Sequence, residues 1–224
     1  MTSAIIVAAG KGTRMGPNVD KLFLSLHGKP VIAHTWAQFE KAGCIDEIIL
    51  VVRTGMEDAF AALALEQGFR KPYQLVAGGK ERQDSVWNGL QCLSAAEYVA
   101  IHDGARPCAR PALIQATLAA ARQTGAAVAA QPLTDTIKES ADGKHVTRTL
   151  DRSRLWAVQT PQTFRVEILR RALAEVRRRG LLVTDDTAAC ELIGQSVQLV
   201  TSSEPNPKVT QPTDLPYIEL LVGS

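Results

Sequence analysis

The residues best suited to chemistry gather near the start of the chain. Gly10-Lys11-Gly12-Thr13-Arg14-Met15-Gly16 follows an apolar run beginning at Ala4, and Lys21 comes shortly after. A strand that empties into a glycine loop and then a helix presents converging backbone N–H groups, and the glycines let an anion approach closely. Two common phosphate loops do not fit. The pattern GxxxxGK[ST] is absent, since Gly16 is followed by Pro17-Asn18. The dinucleotide pattern G-x-G-x-x-G misses by one position at its third glycine, and Arg53 rather than an acid follows the second apolar run at Val52. Lys11, Arg14 and Lys21 supply three cations instead, which suits a triphosphate. Arginine forks onto two phosphate oxygens, and lysine brings a mobile point charge.

These groups need a scaffold, and the periodicity supplies one. Residues 3–8 form a run apolar on both faces, as in a buried parallel strand. Further strands are expected at 47–52, 73–76, 98–101 and 126–130, separated by helices at 30–41, 56–67, 81–93 and 111–123. In the first of these helices Val31, Ala33, Trp36, Ala37 and Phe39 form the apolar side. Strands alternating with helices of this length indicate βαβ units with right-handed crossovers and helices on both faces of the sheet. His102-Asp103-Gly104-Ala105-Arg106 follows the fourth strand, and strand ends are where open α/β sheets hold ligands.

The pattern changes after Pro132. Residues 133–155 are rich in charge and poor in apolar side chains, and Asp142-Gly143 is a turn signal. They read as a β-hairpin arm inserted into the domain. A projecting pair of strands is marginal alone, so the arm is expected to pack on a second subunit; the alternative reading of the segment is an ordinary surface loop. A helix follows at 166–179, ending in Arg177, Arg178 and Arg179 before Gly180, a favourable C-terminus. Then come a helix at 185–193 capped by Thr184 or Asp185, a strand at 196–200 and a closing helix at 213–222 with Pro216 in its first turn.

Composition limits the alternatives. The 224 residues are 46% hydrophobic, enough for one domain with a sizeable core. The net charge is +2 from 25 basic and 23 acidic residues, without a long basic tract, which argues against nucleic acid. Cys44, Cys92, Cys108 and Cys190 match neither CxxC nor a zinc pattern, and read as reduced thiols of a cytoplasmic protein. No stretch approaches the ~18 apolar residues of a membrane span, and the N-terminal apolar run is too short for a signal peptide.

The opening loop with Asp20-Lys21 resembles the signature loop of nucleotidyltransferases that make sugar and polyol nucleotides. Six further stretches narrow the resemblance. They are Gly78-Gly79-Lys80-Glu81-Arg82-Gln83-Asp84-Ser85-Val86, His102 to Pro107, Asp135-Thr136-Ile137-Lys138, Thr160-Pro161-Gln162, Thr184-Asp185-Asp186 and Lys208-Val209-Thr210. Together they resemble the 2-C-methyl-D-erythritol 4-phosphate cytidylyltransferases of the non-mevalonate isoprenoid pathway. The resemblance implies an α/β fold: a single Rossmann-like three-layer domain with a mostly parallel sheet, plus a β-arm for dimerisation. It implies cytidylyl transfer from CTP to 2-C-methyl-D-erythritol 4-phosphate with release of pyrophosphate, in the presence of Mg²⁺, by a homodimer whose arms reach the partner's active site.

The resemblance also implies roles. Arg14, Lys21 and Lys208 match cations that bind the triphosphate and stabilise the transition state. Ala8, Ala9, Gly10 and Gly12 match the backbone lining the nucleotide, and Gly79, Lys80 and Ser85 the segment that reads the cytosine. Lys80 stands where relatives often carry an acid, and Gly104 where alanine is common. Asp103 matches the acidic residue associated with metal and substrate, and a hard carboxylate oxygen suits Mg²⁺. Arg106, Thr160 and Thr184 match contacts to the acceptor substrate, and Thr136 and Arg152 match arm residues that reach the neighbouring subunit's acceptor phosphate. His102 reads as packing or a supporting hydrogen bond. Competing readings are a cytidylyltransferase for ribitol 5-phosphate or another polyol phosphate, and a non-catalytic nucleotide-binding protein.

Overall fold

The computed structural model describes residues 1–10 and 20–223. The chain begins with β1 (Thr2–Ala8), then the short β2 (Ser25–Leu26) and β3 (Lys29–Pro30) and helix α1 (Val31–Lys41). Next come β4 (Glu47–Val52), α2 (Glu57–Gln67), β5 (Tyr73–Ala77), α3 (Arg82–Gln91), β6 (Tyr98–Asp103), α4 (Pro111–Thr124) and β7 (Ala126–Pro132). The two-residue strands β8 (Lys138–Glu139) and β9 (Arg148–Thr149) follow. The chain closes with β10 (Trp156–Arg165), α5 (Val166–Arg179), α6 (Asp186–Glu191), β11 (Gln198–Thr201) and α7 (Leu215–Gly223).

Among the described residues seven strands form one sheet in the order β11-β7-β10-β6-β1-β4-β5. The pairs β1–β4, β1–β6, β4–β5 and β11–β7 are parallel, while β10 runs antiparallel to both its neighbours. The alternation of side chains along β1 explains why helices are needed on both faces. Ala4, Ile6 and Ala8 pack with α1, Phe60 of α2, Ile114 of α4 and Ile218 of α7. Ile5 faces the other way, into a core with Val86 and Leu90 of α3, Leu169 and Leu173 of α5 and Cys190 of α6. This is the three-layer α/β architecture that the periodicity anticipates.

β10 is a strand the periodicity does not announce. Gln159-Thr160-Pro161-Gln162 interrupts it with polar residues and a proline. Its pairing with β7 is irregular between Val158 and Gln162, so Pro161 lies where no ladder N–H is required. β10 fills the gap between β6 and β7, and the arm is the connection that leads from β7 into it. Leu133 N–H donates to Leu155 C=O at the arm's neck. Within the arm, Lys138 pairs with Thr149 and Glu139 with Arg148, around a turn in which Asp142 Oδ1 accepts from the N–H groups of Lys144 and His145. Val146, Trp156 and Val158 lie exposed on the arm or at its root.

The helix ends follow local chemistry. Gly180, at φ +64°, closes α5 in the left-handed conformation, and Arg178 and Arg179 both pair with Glu175. Asp185 caps α6 by accepting from Ala188 N–H at 2.9 Å. Among the described residues no helix is long and apolar enough to cross a membrane.

Candidate active site

A cleft of about 810 Å³ opens at the C-terminal ends of four adjacent parallel strands. Ala9 and Gly10 follow β1, Arg53 and Thr54 follow β4, Gly78 to Glu81 follow β5, and Asp103 ends β6. The strand order reverses beside β1, since β4 and β5 lie on one side of it and β6 on the other. Ligands of open α/β sheets sit at such a switch point. Lys21, Arg82, Ser85 and Lys208 complete much of the wall.

Close backbone approach shapes the wall near β1. A Cβ on Gly78 would stand 2.3 Å from Ala9 Cβ. Gly78 N–H bonds to Val52 C=O at 2.8 Å, and Gly79 N–H to Ser85 Oγ at 3.1 Å. Ser85 Oγ in turn donates to Glu81 C=O at 3.2 Å. Glu81 caps α3 in a reciprocal box with Asp84, which fixes the turn carrying Lys80.

The far end of the chain is tied in by one residue. Val209 N–H donates to Ala105 C=O at 2.8 Å, and its own C=O accepts from Lys21 Nζ at 3.1 Å. Lys21 and Lys208 therefore reach one cleft from positions 187 apart in the sequence. Asp20, next to Lys21, pairs with Arg53.

Asp103 is the electrostatic centre. Its Oδ2 accepts from Lys208 Nζ at 2.6 Å and lies 3.8 Å from Arg106 Nε. Its Oδ1 accepts from Arg82 Nε at 3.2 Å. Burial opposes the charge, but Arg82 and Lys208 outweigh it and hold the carboxyl well below the usual carboxylate range. Arg82 also donates to Asp186 Oδ2 at 2.7 Å. Burial works against its charge too, and the two carboxylates more than compensate. Asp186 is fully buried, with the Arg82 guanidinium as its ion-pair partner.

Behind Asp103 lies a closed set of hydrogen bonds. Thr160 Oγ1 accepts from Asp103 N–H at 3.1 Å and sits 3.0 Å from His102 Nδ1. The hydroxyl proton therefore goes to Nδ1, and His102 Nε2–H donates to Arg106 C=O at 3.0 Å. Burial lowers the imidazole to about 4, so it is neutral, as this pattern requires. Asn206 Nδ2 donates to Thr160 C=O at 2.7 Å, while Asn206 C=O accepts from Arg106 Nη1 at 2.8 Å. His102 has the supporting role expected of it.

Of the sequence candidates, Ala9, Gly10, Lys21, Gly79, Lys80, Ser85, Asp103 and Lys208 line the cleft. Ala8 is buried at the end of β1, just before it. Arg106 lies behind Asp103, and Thr160 is buried with its hydroxyl committed to His102 and Asp103. Thr184 is exposed ahead of α6. Thr136 and Arg152 are not brought to the cleft of their own chain; they are exposed on the arm, where Arg152 donates to Thr134 C=O. Lys11, Gly12 and Arg14 lie outside the described residues. Arg53, Arg82 and Asp186 join the site without having been singled out. Arg82 carried one readable signal: it is the first residue of α3, where the helix end disfavours a cation unless anions hold it.

Among the described residues no cluster of three or more metal-ligating side chains occurs. Mg²⁺ asks less than that, since one or two carboxylates plus substrate phosphates and waters commonly suffice. Asp103, a charged carboxylate on the cleft wall, fits that requirement.

Comparison with known proteins places the chain in a family. The sequence model of a family described as IspD, 2-C-methyl-D-erythritol 4-phosphate cytidylyltransferase, matches residues 2–224. A relative of that name from Alkaliphilus oremlandii is 43% identical over 216 residues, covering 96% of this chain and 92% of its own. Another from Pelotomaculum thermopropionicum is 41% identical over 222 residues, covering 98% and 93%. Among solved structures, a 4-diphosphocytidyl-2C-methyl-D-erythritol synthase from Anaerococcus prevotii superposes with a TM-score of 0.86 at 29% identity, covering 100% of this chain and 98% of that one. A match along nearly the whole length means that the chain belongs to the 2-C-methyl-D-erythritol 4-phosphate cytidylyltransferase family.

Proposed function

We infer that this chain is a nucleotidyltransferase that moves the cytidylyl group of CTP to 2-C-methyl-D-erythritol 4-phosphate and releases pyrophosphate. Family membership supports the reaction. The observation that carries the site assignment is the convergence of Lys21, Lys208 and Asp103 on the strand-end cleft. An oxygen of the acceptor phosphate attacks the α-phosphorus of CTP. The new P–O bond forms as the bond to the β-phosphate oxygen breaks, and the electron pair leaves with pyrophosphate. The acceptor phosphate is already a nucleophile, so no covalent intermediate is needed.

The chain's task is to bring two anions together and to stabilise charge on the equatorial oxygens. Lys21 and Lys208 do this in the cleft, with Arg14 from the glycine loop. Gly79, Lys80 and Ser85, together with the backbone of Ala8, Ala9, Gly10 and Gly12, hold the nucleotide. A wrong base is rejected where it leaves buried polar groups unpaired. Arg106, Thr160 and Thr184 serve the acceptor side, the buried Thr160 by fixing Asp103 and its loop. Asp103 is the residue that would hold Mg²⁺. When bound, that ion would supply further positive charge against the phosphates beside Lys21 and Lys208.

Residues 133–155 act as an inserted arm that reaches a second copy of the chain, in a cytoplasmic homodimer. Their poor self-burial supports this reading, as do the exposed Val146, Trp156 and Val158. Thr136 and Arg152 then approach the partner's acceptor phosphate. The deciding assay is pyrophosphate release with CTP, comparing 2-C-methyl-D-erythritol 4-phosphate with ribitol 5-phosphate, and CTP with UTP and ATP. Turnover confined to CTP and the methylerythritol acceptor is expected. Preference for ribitol 5-phosphate would reassign the acceptor, and CTP binding without turnover would refute catalysis.

A further inference from the structure

Asp186 is the deepest carboxylate near the cleft, and nothing in the reaction above uses it. It is fully buried at the first position of α6. Its Oδ2 accepts from Arg82 Nη1 at 2.7 Å, and its Oδ1 has no partner among the described residues. Its backbone is set from β10: Gln162 Oε1 accepts from Asp186 N–H at 3.1 Å, and Gln162 Nε2 donates to Asp185 Oδ2 at 2.9 Å. Gln162 is itself buried. Four elements separate in sequence thus meet in one line, running Gln162 to Asp186 to Arg82 to Asp103.

We propose that Asp186 is a positioning residue, the buried counter-charge that keeps Arg82 turned onto Asp103 and away from the nucleotide's phosphates. This rests on the cytidylyl-transfer reading of the cleft. The argument starts from Arg82, a cation at the N-terminal end of α3, where the exposed N–H groups repel it. Arg82 also lines the cleft, where a triphosphate would attract it. Its observed place against Asp103 Oδ1 therefore depends on a second anion behind it, and Asp186 is that anion. Asp103 Oδ2 faces Lys208 and Arg106, so Arg82 balances the carboxylate from the opposite side.

Removing the charge at Asp186 has two linked effects. Asp103 loses the group that steadies Oδ1, which lowers turnover. Arg82 becomes free to meet the nucleotide's phosphates, which leaves ground-state CTP binding as strong or makes it stronger. General loosening of the site would weaken CTP binding instead, so the two accounts separate in one experiment.

The test uses Asp186→Asn, Asp186→Glu, Arg82→Gln and the double variant Asp186→Asn/Arg82→Gln in the full-length protein. Turnover is measured by pyrophosphate release, CTP affinity by calorimetry, folding by thermal melting, and the Arg82 Nε–H group by its ¹⁵N-edited NMR signal. In D186N, kcat is expected to fall at least about tenfold with the CTP Kd unchanged or lower, and the protected Arg82 Nε–H signal is lost. D186E recovers part of the turnover, and the double variant is no slower than R82Q. Turnover of D186N at the wild-type rate would overturn the proposal, as would equal losses in kcat and CTP affinity or multiplied losses in the double variant. If D186N does not fold, Arg82→Lys keeps the charge but loses the fork, and wild-type kcat in R82K would equally overturn it. Wild-type turnover with CTP checks the reading of the reaction separately, and the Arg82 signal does not depend on which reaction the cleft performs.

Discussion

Replacing Gly78 with alanine tests how closely the nucleotide wall is built. The new Cβ would lie 2.3 Å from Ala9 Cβ, 3.2 Å from Ser85 Oγ and 3.4 Å from Val52 O. Ordinary contact begins near the last of these distances, so the Ala9 and Gly78 backbones must part by about 1 Å. Neither Cβ can rotate away, and Gly78 N–H is bonded to Val52 C=O. Overpacking of this kind destabilises by about 1–3 kcal/mol, which for a chain of this length lowers Tm by several degrees. The displacement falls on the segment expected to hold CTP, where a 1 Å misplacement costs about 100-fold. Steady-state pyrophosphate release with varied CTP should therefore show kcat/KM down about 100-fold in G78A, in protein that still melts cooperatively. The double variant Ala9→Gly/Gly78→Ala removes the clashing methyl and should return to within about tenfold of wild type. A fully active G78A would refute the steric reasoning, and so would a double variant as poor as the single one.

Other outcomes follow from the same structure. Thr160→Val keeps the shape but strands Asp103 N–H and His102 Nδ1, so it should cost about 2–4 kcal/mol in urea unfolding, well beyond Thr160→Ser. Burial pushes the Cys190 thiol up to about 12 from an ordinary 9.0. The unfolded chain then releases this proton at a lower pH than the fold does, so the contribution to stability falls as pH rises from 9 towards 12. Urea midpoints at pH 7.5 and 10 should consequently drop further in wild type than in Cys190→Ala. Arg152→Ala should raise KM for the acceptor while leaving CTP binding intact; light scattering should find a dimer, and a fully active monomer would contradict the role given to the arm. Thorough chelation should abolish turnover, with recovery on adding Mg²⁺.

Much of the scaffold was readable because its strands are apolar on both faces. Glu47–Val52 and Val166–Arg179 fall at the expected residues, since burial on one side or both leaves an unambiguous period. Trp156–Arg165 was not readable, because the ladder tolerates Pro161 through an irregular pairing that composition cannot announce. The cleft was legible where a stretch carried its own chemistry, as at Lys21 and Asp103, and where the family resemblance pointed, as at Ser85. Arg82 and Asp186 were not legible as a pair, since 104 residues separate them and only the fold creates the contact. Thr160 illustrates the converse: its stretch was noticed, but a hydroxyl's partners follow from burial, and this one bonds inward to His102 and Asp103.

The neck of the arm has a consequence for how such proteins diversify. β7 and β10 are adjacent antiparallel strands, so Leu133 and Leu155 meet across a closed ladder whatever lies between them. Closure entropy grows only slowly with loop length, by about 0.6 kcal/mol for each doubling. The intervening segment can then be exchanged as a cassette, lengthened or trimmed, while the sheet and its cleft keep their register. On the proposed homodimer, an arm transplanted from a distant relative onto this neck would reassign which subunits recognise one another and which arm residues reach the partner's acceptor, while the sheet of the recipient keeps its own cleft residues in place.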